Sequence, residues 1–534
     1  MKNSIISLIR ITGLSLVLLM LSAVLFSCAQ DIGSGNENTS RPVIVLETPS
    51  DNQNETPMDN TPSHDRETVS PDIRESETVS LSPSPTDEPT PEATPTSTPT
   101  FTPTAAPTIA PTAVPTAEPT QEPTSEPSPT PNEYPAVTQS IPVIRINTVS
   151  GNDITSKESY SAAKITVESE TGTFDLTDAG CNIKGHGNTT WRDFRKIKAS
   201  YRLKLDKKTN LGGIPGTAGR DYVLLANYAD VTMLRNYVAL TLGKRLENVS
   251  FTSDFIYVNL ILNGKDKGLY LLCTKVKLAD SRINIETDAT GVETDTGYLL
   301  ELDNRASQDT NNPYFVITNT KYTISVKNDG LSDAQLKYIS DYVNNLYQVM
   351  KTGDRDKIEA LADMDSMVDM FILEEFVKDR DVGFASFYMI KQKGGRLRFV
   401  APWDFDLSLG NDIDNALPTG LVTEYTTSPD TNPSPFYLLL WNQKWFSELV
   451  LARFKEVKPV IESVISDTVK EAEALRDAND KNNAIYHVYG KKLFKEPKNF
   501  ITDLKNYDDH VRYLIGWMNE RLKWLEDYFT EKAK

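Results

Sequence analysis

The sequence predicts an α+β protein, strand-rich over residues 141–326 and helix-rich over 327–534, on three observations. Short apolar runs with a period of two fill the first stretch, and after Leu331-Ser332-Asp333 the apolar positions take helical spacing. A strand pair turned by Gly394-Gly395 interrupts the helices and leads into Trp403-Asp404-Phe405-Asp406.

Two segments precede that domain. Residues 1–28 open with Lys2 and Arg10, run apolar from Leu14 to Leu21, and reach Leu25-Phe26-Ser27-Cys28. A basic start and an apolar core short for a membrane span describe an export signal. The cysteine after Leu25-Phe26-Ser27 resembles a bacterial lipobox, so Cys28 is expected to be lipidated. That would anchor the chain to the cytoplasmic membrane on its extracytoplasmic side, at the cell surface. Residues 29–140 are rich in Ser, Thr, Pro, Asp and Glu, with Pro-Thr repeats from Pro89 to Pro135. Such a chain buries too little apolar surface to offset its ordering entropy and is expected to be a solvated spacer.

The net charge of −18 argues against nucleic acid as a partner, since that needs a basic face. Cys181 and Cys273 could bridge, but a core this large needs no staple, and two buried thiols are the better expectation. The four histidines are scattered and no Cys/His spacing suggests zinc.

Within the domain, Val143–Ile146, Lys164–Val167, Tyr201–Leu205 and Tyr222–Leu225 read as strands. Phe255–Leu262, Asn263-Gly264 and Gly268–Leu272 read as a hairpin around an Asn-Gly turn. Leu234, Val238, Leu242 and Leu246 form one stripe of a helix from about Thr232. Helices follow at Leu336–Met350 and Asp365–Lys378, then strands at Phe384–Lys391 and Arg396–Val400, then long helices from about Pro435.

Asp381 lies twenty-three positions before Asp404. Two acids on neighbouring loops suit phosphoryl transfer, one orienting a hydroxyl and the other holding magnesium against nucleotide phosphates. Lys184-Gly185-His186-Gly187-Asn188 follows a strand, and two glycines around one residue allow backbone amides to approach a phosphate. Basic residues follow at Lys198, Arg202 and Lys204, the last two on one strand face.

Seven ordered pieces resemble the spore coat protein H (CotH-type) family of atypical protein kinases. They are Ile183–Trp191, Tyr201–Leu205, Leu224–Asn236, Asn263-Gly264 with Gly268–Leu272, Tyr298–Asp303, Phe384–Met389 and Pro402–Leu407. The resemblance implies an atypical two-lobed protein-kinase-like fold, with a strand-rich N-terminal lobe and a helical C-terminal lobe. It implies transfer of the ATP γ-phosphate to Ser or Thr of protein substrates, with Mg2+. Asp381 then stands at the catalytic aspartate and Asp404 at the metal-binding one. Asp406 would assist or brace its turn, and Ser386 falls where an ordinary kinase has a second metal ligand. Lys184, Gly185, Gly187, Asn188, Lys198, Arg202 and Lys204 are the nucleotide-binding candidates.

Thr274 stands where relatives carry glutamate, and His186 where arginine is expected. Both departures leave open a catalytically weak kinase-fold surface protein. Transfer of AMP to protein and glycoside hydrolysis by the same acids are further alternatives.

Overall fold

Strands β5 and β7 explain much of the architecture, because both of their faces are covered and they therefore read as continuous apolar runs. Val223-Leu224-Leu225 and Leu269 to Cys273 turn alternate residues into two separate cores. The computed structural model describes residues 137–534 apart from 310, 425–433, 496 and 498–500. The export signal, Cys28 and nearly all of the expected spacer lie outside the described residues.

Seven strands close a barrel in the order β1-β2-β3-β4-β5-β7-β6. They are β1 (Val143–Thr148), β2 (Ser161–Glu168), β3 (Leu176–His186), β4 (Ser200–Thr209), β5 (Gly219–Leu225), β6 (Phe255–Leu262) and β7 (Lys265–Thr274). Neighbours are antiparallel except at the seam, where β1 runs parallel to β6. Ile144, Ile165, Ile183, Leu203, Leu224, Leu260 and Tyr270 fill the interior. The hairpin turn is as expected: Asn263 (φ 49°) and Gly264 (φ 73°) both adopt the left-handed region that a two-residue turn requires.

The outer face of β5, β7 and β6 packs into the larger core, together with α1 (Arg235–Arg245). That core also holds a five-stranded sheet of order β12-β11-β8-β10-β9. Its strands are β8 (Tyr298–Leu302), β9 (Tyr314–Val316), β10 (Thr323–Val326), β11 (Phe387–Lys391) and β12 (Leu397–Val400). The boundary expected at 326/327 therefore runs through a sheet. β8 pairs with both β10 and β11, joining the strands before that boundary to the catalytic hairpin after it.

Helices α2 (Asp333–Thr352), α3 (Arg355–Leu361), α4 (Met364–Val377), α5 (Pro435–Trp441), α6 (Lys444–Tyr486) and α7 (Tyr507–Lys532) complete the core. Ser332 and Gln335 form a reciprocal capping box at the start of α2. α6 ties the two parts together: Asn479 donates to the Val231 carbonyl (2.8 Å) and Tyr486 to that of Lys267 (3.0 Å). Cys181 and Cys273 are buried free thiols, the first facing the barrel interior and the second the larger core. No helix among the described residues is long and apolar enough to cross a membrane.

Candidate active site

Asp381 sits in the turn that follows α4. That helix ends at Lys378, whose φ of 54° gives a left-handed cap, and the amides of Phe384 and Ala385 then close back on the Asp381 carbonyl (2.7 and 3.0 Å). Asn304, just past β8, donates its amide to the Phe384 carbonyl (2.8 Å) and so holds the turn against the sheet. Arg380 is buried, bonded to Asp412, and lies 3.7 Å from the Asp381 carboxylate. Asp381 keeps about a quarter of its side chain exposed (27%), so the acid is oriented but still reachable.

Asp404 is reached from β12 through Ala401 (φ 55°) and holds φ 75° itself. Such backbone costs on the order of 1–3 kcal/mol and persists only where surroundings impose it. Here the surroundings are specific. The Phe405 amide donates to Asn236 Oδ1 (3.0 Å), while Asn411 Nδ2 donates to the Asp406 carbonyl (2.7 Å). Arg235 donates to the Ser408 carbonyl (3.0 Å) and forms a fully buried ion pair with Asp230 (2.6 Å). The Leu224–Asn236 stretch thus braces the acidic turn, a role its sequence did not disclose.

The charge of Asp381 acts on Asp404. Withdrawal from water and then the charge of Asp381 push Asp404 up to about 6, against the pull of Arg305. Because Asp404 is itself exposed, the like charge is the firmer of those causes. Burial raises Asp381 as well, opposed by Arg380 and Arg305. Beneath them, burial and then Glu374, Asp381 and Asp404 raise Asp379, and burial with Glu375 pushes Glu374 up to about 8. Asp404, Asp381, Asp379 and Glu374 are thus all raised above the ordinary carboxylate range.

The outer face of the barrel supplies the opposite charge. Lys184 on β3 and Arg202 on β4 are cross-strand partners, flanking the Tyr160 ring at 4.9 and 6.0 Å. Arg202 lies 3.7 Å from Asp221, which also pairs with Lys277 (3.1 Å). His186 is held neutral, down to about 3, by burial and by Lys275, Arg202 and Lys184. Its ring meets that of Trp403, the residue before Asp404, edge-on at 6.5 Å. Lys275 is lowered to about 7 by burial and by Arg202, with Asp221 and Glu301 opposing. Glu301 also acts on Asp404.

Several expected nucleotide ligands sit elsewhere. Lys198 is buried, donating to the Leu269 carbonyl (2.6 Å) with its ammonium over the Tyr270 ring (4.8 Å), so it is a core cation and not a phosphate ligand. Gly185 already spends its amide on the Ser156 carbonyl (2.8 Å), and a Cβ there would lie 2.2 Å from Trp191. Its glycine serves packing. Gly187 keeps a positive φ (85°), and the neighbouring Asn188 accepts from Lys157 (2.8 Å). Lys204 is exposed on the same face as Arg202. Ser386 heads β11 with φ 61°. Thr274 is buried, its hydroxyl accepting from the Asp254 amide (2.9 Å). Lys275, Arg305 and Arg380 went unnoticed in the sequence, though Lys275 directly follows the flagged Thr274.

Among the described residues no three acidic, histidine or cysteine side chains are close enough to hold a metal alone. Magnesium commonly takes only one or two carboxylates and completes its shell with phosphate and water, so an exposed, like-charge-crowded Asp404 fits that ion.

A family model described as CotH kinase protein matches residues 183–525. Inner spore coat protein H of Bacillus subtilis (strain 168) is 25% identical over 231 residues, 42% of this chain. The chain spans 57% of that relative's length.

Proposed function

Because the chain belongs to the CotH kinase protein family, we propose that it is an ATP-dependent kinase acting on Ser or Thr of surface or coat proteins. The observation carrying this reading is that the paired strands β11 and β12 are preceded by the Asp381 turn and followed by the Asp404 turn, where Trp403 meets His186 at the end of the barrel strand that bears Lys184. In this reading the barrel and the sheet-and-helix part act as the two lobes of a kinase.

Asp381 accepts a hydrogen bond from the acceptor hydroxyl and takes its proton late, so its orientation by Arg380 matters more than its basicity. Asp404 would hold Mg2+, with Asp406 and Ser386 the nearest further candidates. Magnesium supplies charge neutralisation of the transferring phosphoryl group. Lys184 and Arg202, with Gly187 and Asn188 at the end of β3, face the phosphates. Export and a Cys28 lipid anchor would present this chemistry outside the cytoplasmic membrane.

The test is the whole chain with Mg2+ and γ-labelled ATP, beside Asp381→Ala and Asp404→Ala. Label should enter the wild type and fall by at least about 100-fold in either variant. Intact mass should rise by about 80 Da per event, where AMP transfer would add about 329. Equal labelling of all three proteins would overturn the assignment.

A further inference from the structure

Glu471 is fully buried on α6, and among the described residues Thr138 alone serves both of its carboxylate oxygens. The Thr138 amide donates to Oε2 (2.9 Å) and its hydroxyl to Oε1. Withdrawal from water pushes the carboxyl up, and those two bonds pull it back down. A buried carboxylate stabilises a fold no better than an apolar side chain of similar size, yet removing its partner is strongly destabilising. Glu471 therefore makes the body depend on a residue that precedes the barrel, in the stretch expected to be solvated spacer.

The residues after Thr138 carry that dependence onward. Ile141 packs against the larger core, and the Pro142 carbonyl accepts the Asn259 amide of β6 (2.9 Å) before β1 begins at Val143. On α6, Glu471 belongs to a stripe whose members lie three or four residues apart, the spacing of one helix face. One turn earlier, Asp467 pairs with Arg245 of α1 (2.6 Å). Farther on, Asn479 and Tyr486 hold the Val231 and Lys267 carbonyls, and Asn482 accepts the Leu269 amide of β7 (3.3 Å). Toward the other end of the helix, Arg453 pairs with the buried Asp369 of α4 (2.7 Å), and α4 leads into the Asp381 turn. α6 is thus a beam from the barrel to that part of the molecule, and Thr138 ties the entry of the barrel to it.

We infer that residues 138–142 form a strap that fastens the start of the barrel to α6 through Glu471, so that releasing Thr138 loosens the barrel-facing half of α6. The strap makes the body responsive to the chain upstream of it. A pull on that chain, or a group added to the Thr138 hydroxyl, acts at one buried carboxylate. An apolar contact would weaken gradually as it was peeled away. The carboxylate instead loses both donors in one step, because a single residue supplies them. The strap rests on its own contacts; only an effect on phosphoryl transfer would rest on the kinase reading.

Hydrogen exchange of the whole chain tests this, using wild type, Thr138→Val, Thr138→Ser, Glu471→Leu and the Thr138→Val/Glu471→Leu double variant. Valine keeps the shape of the side chain and removes the hydroxyl donor. Thr138→Val should speed exchange of the α6 amides from 468 to 486 by about tenfold or more, and leave those from 448 to 456 within about twofold. Thr138→Ser should match wild type. In the Glu471→Leu background the valine should add less than about twofold, because no carboxylate is left to strand. Unchanged exchange in Thr138→Val would overturn the strap. So would an equal rise throughout the chain, or the same rise with leucine at 471, since either would report general loosening. If Thr138→Val alone does not fold, a folded double variant supports the strap and an unfolded one overturns it. None of these readouts needs a nucleotide, so failure of the kinase reading leaves them unaffected.

Discussion

The barrel presents its charges from paired strands, whereas the two candidate acids stand in turns. Lys184 and Arg202 stand on β3 and β4, where cross-strand pairing fixes their direction, and Lys275 follows the end of β7. Asp381 and Asp404 stand in turns where Lys378, Ser386, Ala401, Asp404 and Leu409 all adopt positive φ. Charges on strands and charges on turns are held in place by different means. A sheet holds its cations as a by-product of hydrogen bonding, while the acids need dedicated supports, namely Arg380 for one turn and the Asp230–Arg235–Asn236 group for the other.

Four substitutions put that contrast to the test. Asp230→Ala should have the largest effect. It strands a buried guanidinium and removes acceptors used by Thr232 and by the Arg235 amide, costing about 3–5 kcal/mol in denaturant unfolding. A loss below about 1 kcal/mol would mean the turn does not depend on this support.

Gly185→Ala comes next. The added methyl must displace the Trp191 ring, which should cost about 1–3 kcal/mol in stability. Phosphate affinity of the folded fraction should hold, since the Gly185 amide is already bonded within the protein. Lost affinity at full stability would restore this glycine to the phosphate loop.

Asp404→Asn should separate stability from activity. The folded protein holds this carboxyl at about 6, above the ordinary carboxylate range, so the fold binds the extra proton and stability falls as pH rises through that window. Removing the charge should therefore stabilise the variant at about pH 7, with the gain gone by about pH 4, while phosphoryl transfer is lost throughout. Destabilisation at neutral pH would contradict the crowding of the acid wall. The smallest effect belongs to Lys204→Met, an exposed strand position, at within about 0.5 kcal/mol.

Local chemistry was legible in the sequence wherever a short segment decides its own conformation. The Asn263-Gly264 turn, the start of α2 at Ser332 and the hairpin before Trp403 are of this kind. The two acids were legible as candidates because their residue type and spacing suit one chemistry. Closure of the barrel was not, since the parallel pairing of β1 with β6 joins residues more than a hundred positions apart through no local signal. Nor was the sharing of one sheet by β8 and β11. Among cations, Lys198, Lys204 and Lys275 look alike in a sequence. One lies beneath tyrosine rings, one in solvent and one half-buried just after β7, and only tertiary packing distinguishes them.

The seam of the barrel carries a consequence for how this domain could ever be released from what precedes it. β1 is the single strand bridging β2 and β6, and its first residue is Val143. A protease that nicks before Thr138, whose amide bonds to Glu471, would free an intact body. One that cuts inside β1 would leave two raw strand borders, an invitation to pair with another molecule. Safe shedding and clumping are thus divided by a handful of peptide bonds.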